Sequence, residues 1–243
     1  MTKLNDRTVR EIVQSTPTAT IAFEEFNIDY YCAGNRSFDD ACRIAGVDSG
    51  VVSRRIEEER ANTNMIGDFA EQKTASGLVE YIVERHHTFT KEESKRISTL
   101  FVEVCRTHSS DHPELLDLQN VFKTLCNDLL THMQNEETVL FPYIKDLEAG
   151  LLDGVSALPI RFESVKNQSR MLRLEHEESV NILRKMRKVS ADYQLPEAAT
   201  SEMCELYSGI LGLERDLHYH IHLENNLLFP LAAKIEEAGN ADL

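Results

Sequence analysis

The stretch Asp128-Leu129-x-x-His132-x-x-x-Glu136-x-x-x-Leu140-Phe141-Pro142 recurs without a gap as Asp216-Leu217-x-x-His220-x-x-x-Glu224-x-x-x-Leu228-Phe229-Pro230. Both copies lie in long segments whose apolar residues recur at helical spacing. One segment, about 114–147, carries Leu125, Leu129, Val139, Leu140 and Tyr143. The other, about 197–237, carries Leu213, Leu217, Leu227, Leu228 and Leu231. Side chains four apart on a helix share one face at about 5–6 Å. His132 therefore meets Glu136, and His220 meets Glu224, on stripes that face a core. An unpaired carboxylate in such a place costs several kcal/mol. Two of them call for a strong compensating cation, and a metal pair that takes carboxylate oxygens as bridges supplies it.

Two more long helical patterns surround the repeat. The first runs about 75–106, with Leu78, Ile82, Ile97, Leu100, Phe101 and Val104. The other runs about 160–190, with Val165, Leu172, Val180 and Leu183. Pro113 and Pro196 precede helix starts, where proline is favoured, and a loop spans Ala149-Gly150 to Pro159. No segment alternates at period two. Four helices joined by modest loops make a four-helix bundle, the architecture in which facing side chains build carboxylate-bridged di-iron sites. On the third helix His176 shares a face with Leu172, Val180 and Leu183. On the first, both His86 and His87 are candidates, and periodicity favours His86. Four histidines and two carboxylates give each metal two imidazoles and a share of both carboxylates, leaving positions for an oxo or hydroxo bridge and a small exogenous ligand. Imidazole with carboxylate at expanded coordination suits iron better than the closed four-coordinate sites of structural zinc.

Residues 1–60 form a separate, small helical domain of short segments: Thr8–Gln14, about Thr18–Phe26, Phe38–Ala45 with Ser37 as N-cap and Gly46 as stop, and Asp48 towards Arg60. Residues 61–67 (ANTNMIG) lack periodicity and are the expected linker to a bundle over 68–243. The chain of 243 residues is long enough to bury a core unaided. Its net charge of −15 opposes binding to nucleic acid or to an anionic membrane surface. Five scattered cysteines (Cys32, Cys42, Cys105, Cys126, Cys204) without a CxxC fit a reducing compartment. With no signal-like or membrane-spanning apolar run, the expected location is cytoplasmic. Cys105, Cys126 and Cys204 read as small core fillers. His108, His112, His218 and His222 read as solvated or peripheral. Asp128, Asp216 and Glu175 are candidates for orienting the ligand rings, and the Leu-Phe-Pro pairs for packing and bending their helices.

Paired H-x3-E helices, with single histidines on the other two, resemble a hemerythrin-like domain. More closely, the chain resembles the iron–sulfur cluster repair di-iron proteins, the repair-of-iron-centres family. Phe26-Asn27-Ile28-Asp29-Tyr30-Tyr31-Cys32-Ala33-Gly34, followed by Ser37-Phe38-x-x-Ala41-Cys42, resembles that family's N-terminal domain, so the likeness spans nearly the whole chain. The family pattern places the first-helix ligand at the second residue of the His86-His87 pair. The resemblance thus implies His87, His132, His176 and His220 as ligands, Glu136 and Glu224 as bridges, and two non-haem irons. It implies a cytoplasmic stress protein that helps to repair iron–sulfur clusters damaged by nitric oxide or peroxide, by supplying iron or by reacting with nitric oxide. Damaged iron–sulfur proteins and small diatomic molecules would be its partners, and the N-terminal domain is a candidate homodimer contact. The alternative is a non-enzymatic sensor or carrier of dioxygen, nitric oxide or iron, and the residues leave enzyme and binding protein both open. Two positions depart from relatives. Val180 stands where oxygen-carrying hemerythrins have a second histidine, and Tyr31-Cys32 replaces the vicinal cysteines typical of the repair family's N-terminal domain.

Overall fold

The computed structural model describes residues 4–62, 74–153, 164–197 and 199–241, and these are all-helical apart from an isolated bridge between Thr8 and Ser37. Four short helices come first: α1 (Val9–Ser15), α2 (Ala19–Glu25), α3 (Phe38–Ala45) and α4 (Ser49–Asn62). Their boundaries follow from local chemistry. Thr8 and Glu11 form a reciprocal capping box at the start of α1. The Ser37 hydroxyl accepts from Asp40 N–H, and Gly46 ends α3 in the left-handed region at φ 74°. Of the expected linker, Ala61 and Asn62 complete α4, and residues 63–67 lie outside the described ones.

The bundle follows. Its first helix comprises α5 (Ala75–Tyr81), a π-helical turn over Ile82–His87, and α6 (Thr88–His108). The second comprises α7 (Glu114–Asn135), a π turn over Glu136–Leu140, and α8 (Phe141–Asp153). The third is α9 (Val165–Val189). The fourth comprises α10 (Ser201–Leu223), a π turn over Glu224–Leu228, and α11 (Phe229–Ala241). Among neighbours, α6 packs on α10 and α7 on α9. Two boundaries differ from those expected. The helix carrying Gly150 continues to Asp153 instead of breaking at Ala149-Gly150, because an isolated glycine weakens a helix without ending it. The remainder of the expected loop, 154–159, and residues 160–163 lie outside the described residues. The last helix begins at Ser201 rather than near 197, because Thr200 accepts from Met203 N–H and so supplies the cap.

The internal repeat reaches beyond the motif that reveals it. Glu148 on α8 accepts the backbone N–H groups of Ala75 and Ser76, at 2.9 and 2.8 Å, and so caps the first bundle helix. Glu236, the counterpart of Glu148 in the second copy, accepts Val165 N–H at 3.0 Å and caps the third. Each repeat helix thus places a carboxylate at the positive end of a neighbour, where it satisfies orphan donors and the helix dipole together.

Buried apolar side chains form two groups. The larger joins the N-terminal helices (Val9, Ile12, Phe23, Tyr30, Phe38, Ile56) to one end of the bundle through Phe101, Phe122, Leu129, Val180, Leu213 and Leu217. The smaller fills the other end with Ile82, Leu140, Phe141, Leu172, Leu228 and Phe229. Along each bundle helix the inward histidines fall between the two groups. Phe101 and Phe122, fully buried with ring centroids 5.2 Å apart, anchor the larger one. Replacing Phe101 with alanine is expected to cost about 3–5 kcal/mol, read as a lower urea midpoint at an unchanged m-value.

Candidate metal centre

Four histidines and two glutamates meet in the polar layer between the apolar groups. His87, His220, Glu136 and Glu224 form one set, and His132, His176 and the same two glutamates form the other, with ligand-type atoms in each set within 4.8 Å of one another. All six side chains are buried, and both glutamates have no exposed surface. The sequence placed His132, Glu136, His220 and Glu224 on inward faces, and the structure brings these together with His176. Of the two candidates on the first helix it is His87, not His86, that enters the cluster.

The π turns explain that choice. The first spans Ile82–His87, and the added residue of the wide turn rotates His87 into the centre, a displacement that regular α-helical periodicity does not register. The other two begin at Glu136 and Glu224. In them Phe141 and Phe229 donate to the carbonyls of Glu136 and Glu224, five residues back rather than four. The prolines that follow, Pro142 and Pro230, lack an N–H and so leave carbonyls in the turn without a helical donor. In the second copy those carbonyls find partners elsewhere: Arg173 donates to Asn225 O at 2.5 Å, and Gln14 of α1 donates to Asn226 O at 3.5 Å. The Leu-Phe-Pro ends therefore do more than pack or bend. They maintain a widened turn at each buried glutamate.

The ring nitrogens have divided tasks. His87 Nδ1 donates to Glu137 at 2.7 Å, His132 Nδ1 to Glu175 at 2.7 Å, and His176 Nδ1 to Asn225 Oδ1 at 3.1 Å. Each of these bonds occupies Nδ1 and leaves Nε2 as the nitrogen turned to the centre, the one available to a metal. There His87 Nε2 lies 3.2 Å from His220 Nε2, and His176 Nε2 lies 3.1 Å from His132 Nε2. Glu224 reaches His220 at 2.9 Å and His176 at 3.1 Å, and Glu136 reaches His132 at 3.3 Å and His87 at 3.5 Å. Neither oxygen of Glu136 makes a well-formed hydrogen bond, and Oε2 of Glu224 also lacks one. Paired imidazole nitrogens and carboxylate oxygens with nothing else to bind are the donor set of a cation site. Nitrogen and oxygen donors in this ratio suit iron.

The electrostatics agree. Burial alone would lower His132 and His220, but the carboxylates, above all Glu136 for His132 and Glu224 for His220, outweigh it and raise both. Burial would raise Glu224, yet His220 and His176 hold it well below the usual carboxylate range. Without a metal the carboxylates favour the protonated forms of His132 and His220, so metal binding there releases protons.

Several peripheral roles differ from those expected. Asp128 is exposed. Asp216 accepts from His86 Nδ1 at 3.0 Å rather than from His220, whose Nδ1 has no partner. Glu175 lies beside His176 in sequence but holds His132 across the bundle. Glu137 and Asn225 escaped the sequence reading, yet they occupy the same position in the two repeats, directly after the buried glutamate, and each holds a histidine of the adjacent helix. His218 and His222 are buried, not solvated. His218 Nδ1 donates to Glu24 at 2.9 Å and its ring stacks on Tyr31 at 3.9 Å. His222 Nδ1 donates to Tyr30 O at 3.3 Å, and burial pushes it down to about 4. These contacts seat the N-terminal segment against the repeat helix and could not be read from helix periodicity. Among the cysteines, Cys105 and Cys126 are buried as expected, but Cys204 is exposed because its side of α10 faces outward. Cys32 is half-buried, and burial pushes its thiol up to about 12. Val180 belongs to the apolar core, so α9 offers one inward histidine to the cluster.

Comparison with known proteins adds a family signal. A hemerythrin HHE cation-binding domain model matches residues 78–232, and a domain of unknown function, DUF542, matches residues 5–60. The chain is 29% identical over 232 residues to the iron-sulfur cluster repair protein ScdA of Staphylococcus haemolyticus, covering 93% of this chain and 97% of that one. It is also 29% identical over 233 residues to the iron-sulfur cluster repair protein YtfE of Pectobacterium carotovorum, covering 95% of this chain and 98% of that one. Among the described residues no helix is long and apolar enough to cross a membrane.

The two neighbouring histidines separate in a direct test. His87→Ala is expected to lower bound metal per chain, measured by elemental analysis after desalting, whereas His86→Ala keeps the full complement. The reverse order would return the ligand assignment to His86.

Proposed function

This chain belongs to the hemerythrin HHE cation-binding family, and from that premise we propose that it is a cytoplasmic non-haem di-iron protein that helps to repair iron–sulfur clusters damaged by nitrosative or oxidative stress. The observation that carries the reading is the sharing of Glu136 and Glu224 by two histidine pairs. His87 and His220 would hold one iron and His132 and His176 the other, with both glutamates bridging. When bound, such an iron pair supplies redox chemistry towards nitric oxide and peroxide, or iron itself as cargo for a damaged cluster. An oxo or hydroxo bridge and a small diatomic ligand would take positions that the six protein donors leave free.

The chain's own residues set the conditions. Glu137, Glu175 and Asn225 keep protons on the Nδ1 atoms of their histidines and so present Nε2 to the metals. Ile82, Leu140, Phe141, Leu172, Leu228 and Phe229 close one side of the layer with apolar surface, which excludes water and strengthens each electrostatic contact within. The names of the full-length relatives support iron–sulfur proteins as the partners. Val180, at the place of a fifth inward histidine, favours repair over oxygen carriage. Homodimerisation through the N-terminal domain remains part of this proposal, as does the division into domains 1–60 and 68–243.

The pair of bridges can be removed without touching a histidine. In Glu136→Ala/Glu224→Ala the metal-free bundle should stay helical, since apolar burial rather than the carboxylates holds it together. The binuclear centre should collapse, and reactivation of a nitric-oxide-damaged iron–sulfur enzyme should fall with it. Two magnetically coupled irons surviving in that variant would show that neither carboxylate bridges. Full reactivation by the iron-free variant would separate repair from the centre.

A further inference from the structure

Asn225 touches both the metal layer and the N-terminal segment. Its Oδ1 accepts from His176 Nδ1 at 3.1 Å, while its Nδ2 donates to the carbonyl of Tyr31 at 3.4 Å. Its own carbonyl, in the π turn before Pro230, is held by Arg173. Asn226 beside it donates to the carbonyls of Tyr30 and Tyr31 at 3.2 and 3.1 Å. His176, Asn225, Asn226, Tyr30 and Tyr31 are all buried.

A carboxamide has one accepting end and one donating end, and its surroundings decide which way it points. A carbonyl such as that of Tyr31 can only accept, so it draws the amide nitrogen towards itself and leaves Oδ1 facing His176. An oxygen there requires the proton of His176 on Nδ1, and Nε2 then carries the lone pair facing Glu224 and His132. Were the amide turned over, its nitrogen would meet Nδ1, and the ring would keep its proton on Nε2, the atom a metal must use.

The other half of the centre lacks this dependence. Glu137, in the same place of the first repeat, holds His87 with a carboxylate that accepts at either oxygen and is steadied by Lys91 at 2.7 Å. No backbone carbonyl is needed to orient it. The repeat is thus asymmetric where its two copies differ, Glu137 against Asn225.

We infer that Asn225 is a positioning residue through which the N-terminal segment sets the tautomer and the hold of His176, and so controls the stability of one metal position and not the other. The inference rests on the proposal that His176 is a ligand. Gly34 marks where the control is applied. A Cβ at Gly34 would lie 2.5 Å from Asn226 Oδ1, so an alanine there displaces either the Asn226 carboxamide or the segment it holds.

The test uses the full-length, iron-loaded, reduced protein and measures release of each iron to the ferrous chelator ferrozine. Asn225→Ala should speed release of one iron by about 10–100-fold, the usual effect of losing a ring-orienting partner, and leave the other at the wild-type rate. Asn225→Asp keeps an acceptor for His176 without needing Tyr31, and should restore slow release. Gly34→Ala should speed release of the same iron when Asn225 is present and have no effect in the Asn225→Asp background. Equal acceleration of both irons in Asn225→Ala, or none, would overturn the inference, as would an unchanged rate in Gly34→Ala. If Asn225→Ala fails to fold, the Gly34→Ala and Asn225→Asp pair decides alone. Nitrogen-15 spectra of the metal-free chain keep this result distinct from that of the di-iron reading. They should show the His176 proton on Nδ1 in wild type and Asn225→Asp and its loss from Nδ1 in Asn225→Ala, whatever the iron content. Absence of the proton from Nδ1 of His176 in the wild-type chain would contradict the inference.

Discussion

Two carboxylates without exposed surface, Glu136 and Glu224, sit at the centre of a helical bundle among histidine nitrogens turned towards one another. That concentration of charge and lone pairs is what the rest of the structure accommodates. Isolated, such groups would cost several kcal/mol each. Protonated His132 and His220 partly neutralise them, and a divalent or trivalent cation would complete the compensation. The apolar groups on either side hold this polar layer in a folded chain, and the orienting groups around it keep the donor atoms pointed inwards.

A regular α-helix cannot easily turn a buried glutamate inwards and let the next residue reach across to a neighbouring helix. The π turns at Glu136 and Glu224 do so, and the prolines that follow leave their carbonyls free for other partners. In the second copy those partners include Gln14 of the N-terminal segment. The distortion needed at the metal layer thereby also creates the contact surface for the rest of the chain. The same helix carries His218, His222 and Asn226, which donate to Glu24 and to the carbonyls of Tyr30 and Tyr31 in one continuous seam. Among the described residues the first copy carries no such seam, and its polar partners, Glu137 and Lys91, lie towards solvent.

How much could be read beforehand follows from the range of each interaction. The duplicated His-x-x-x-Glu pairs were legible because both members lie on one helix, four residues apart. His176 was legible because a single face of α9 is apolar around it. His86 and His87 could not be separated by periodicity, since a π turn breaks the register there, and it took the family pattern to favour His87. Ring-orienting partners were less accessible. Asp216 has the right spacing for His220 and bonds His86 instead, and Glu175 reaches past its neighbour to His132. Such choices depend on how four helices rotate against one another, which no single-helix pattern contains. His218 and His222 were misread as peripheral for the same reason: what buries them comes from some two hundred residues earlier in the chain.

The central claim is that two metals share two carboxylates. Mössbauer spectroscopy with iron analysis, on wild-type protein produced in iron-57 medium, tests it most directly. Two irons per chain, antiferromagnetically coupled and diamagnetic at low temperature in the oxidised state, are the expected result. One uncoupled iron per chain, or a tightly held zinc in its place, would contradict it.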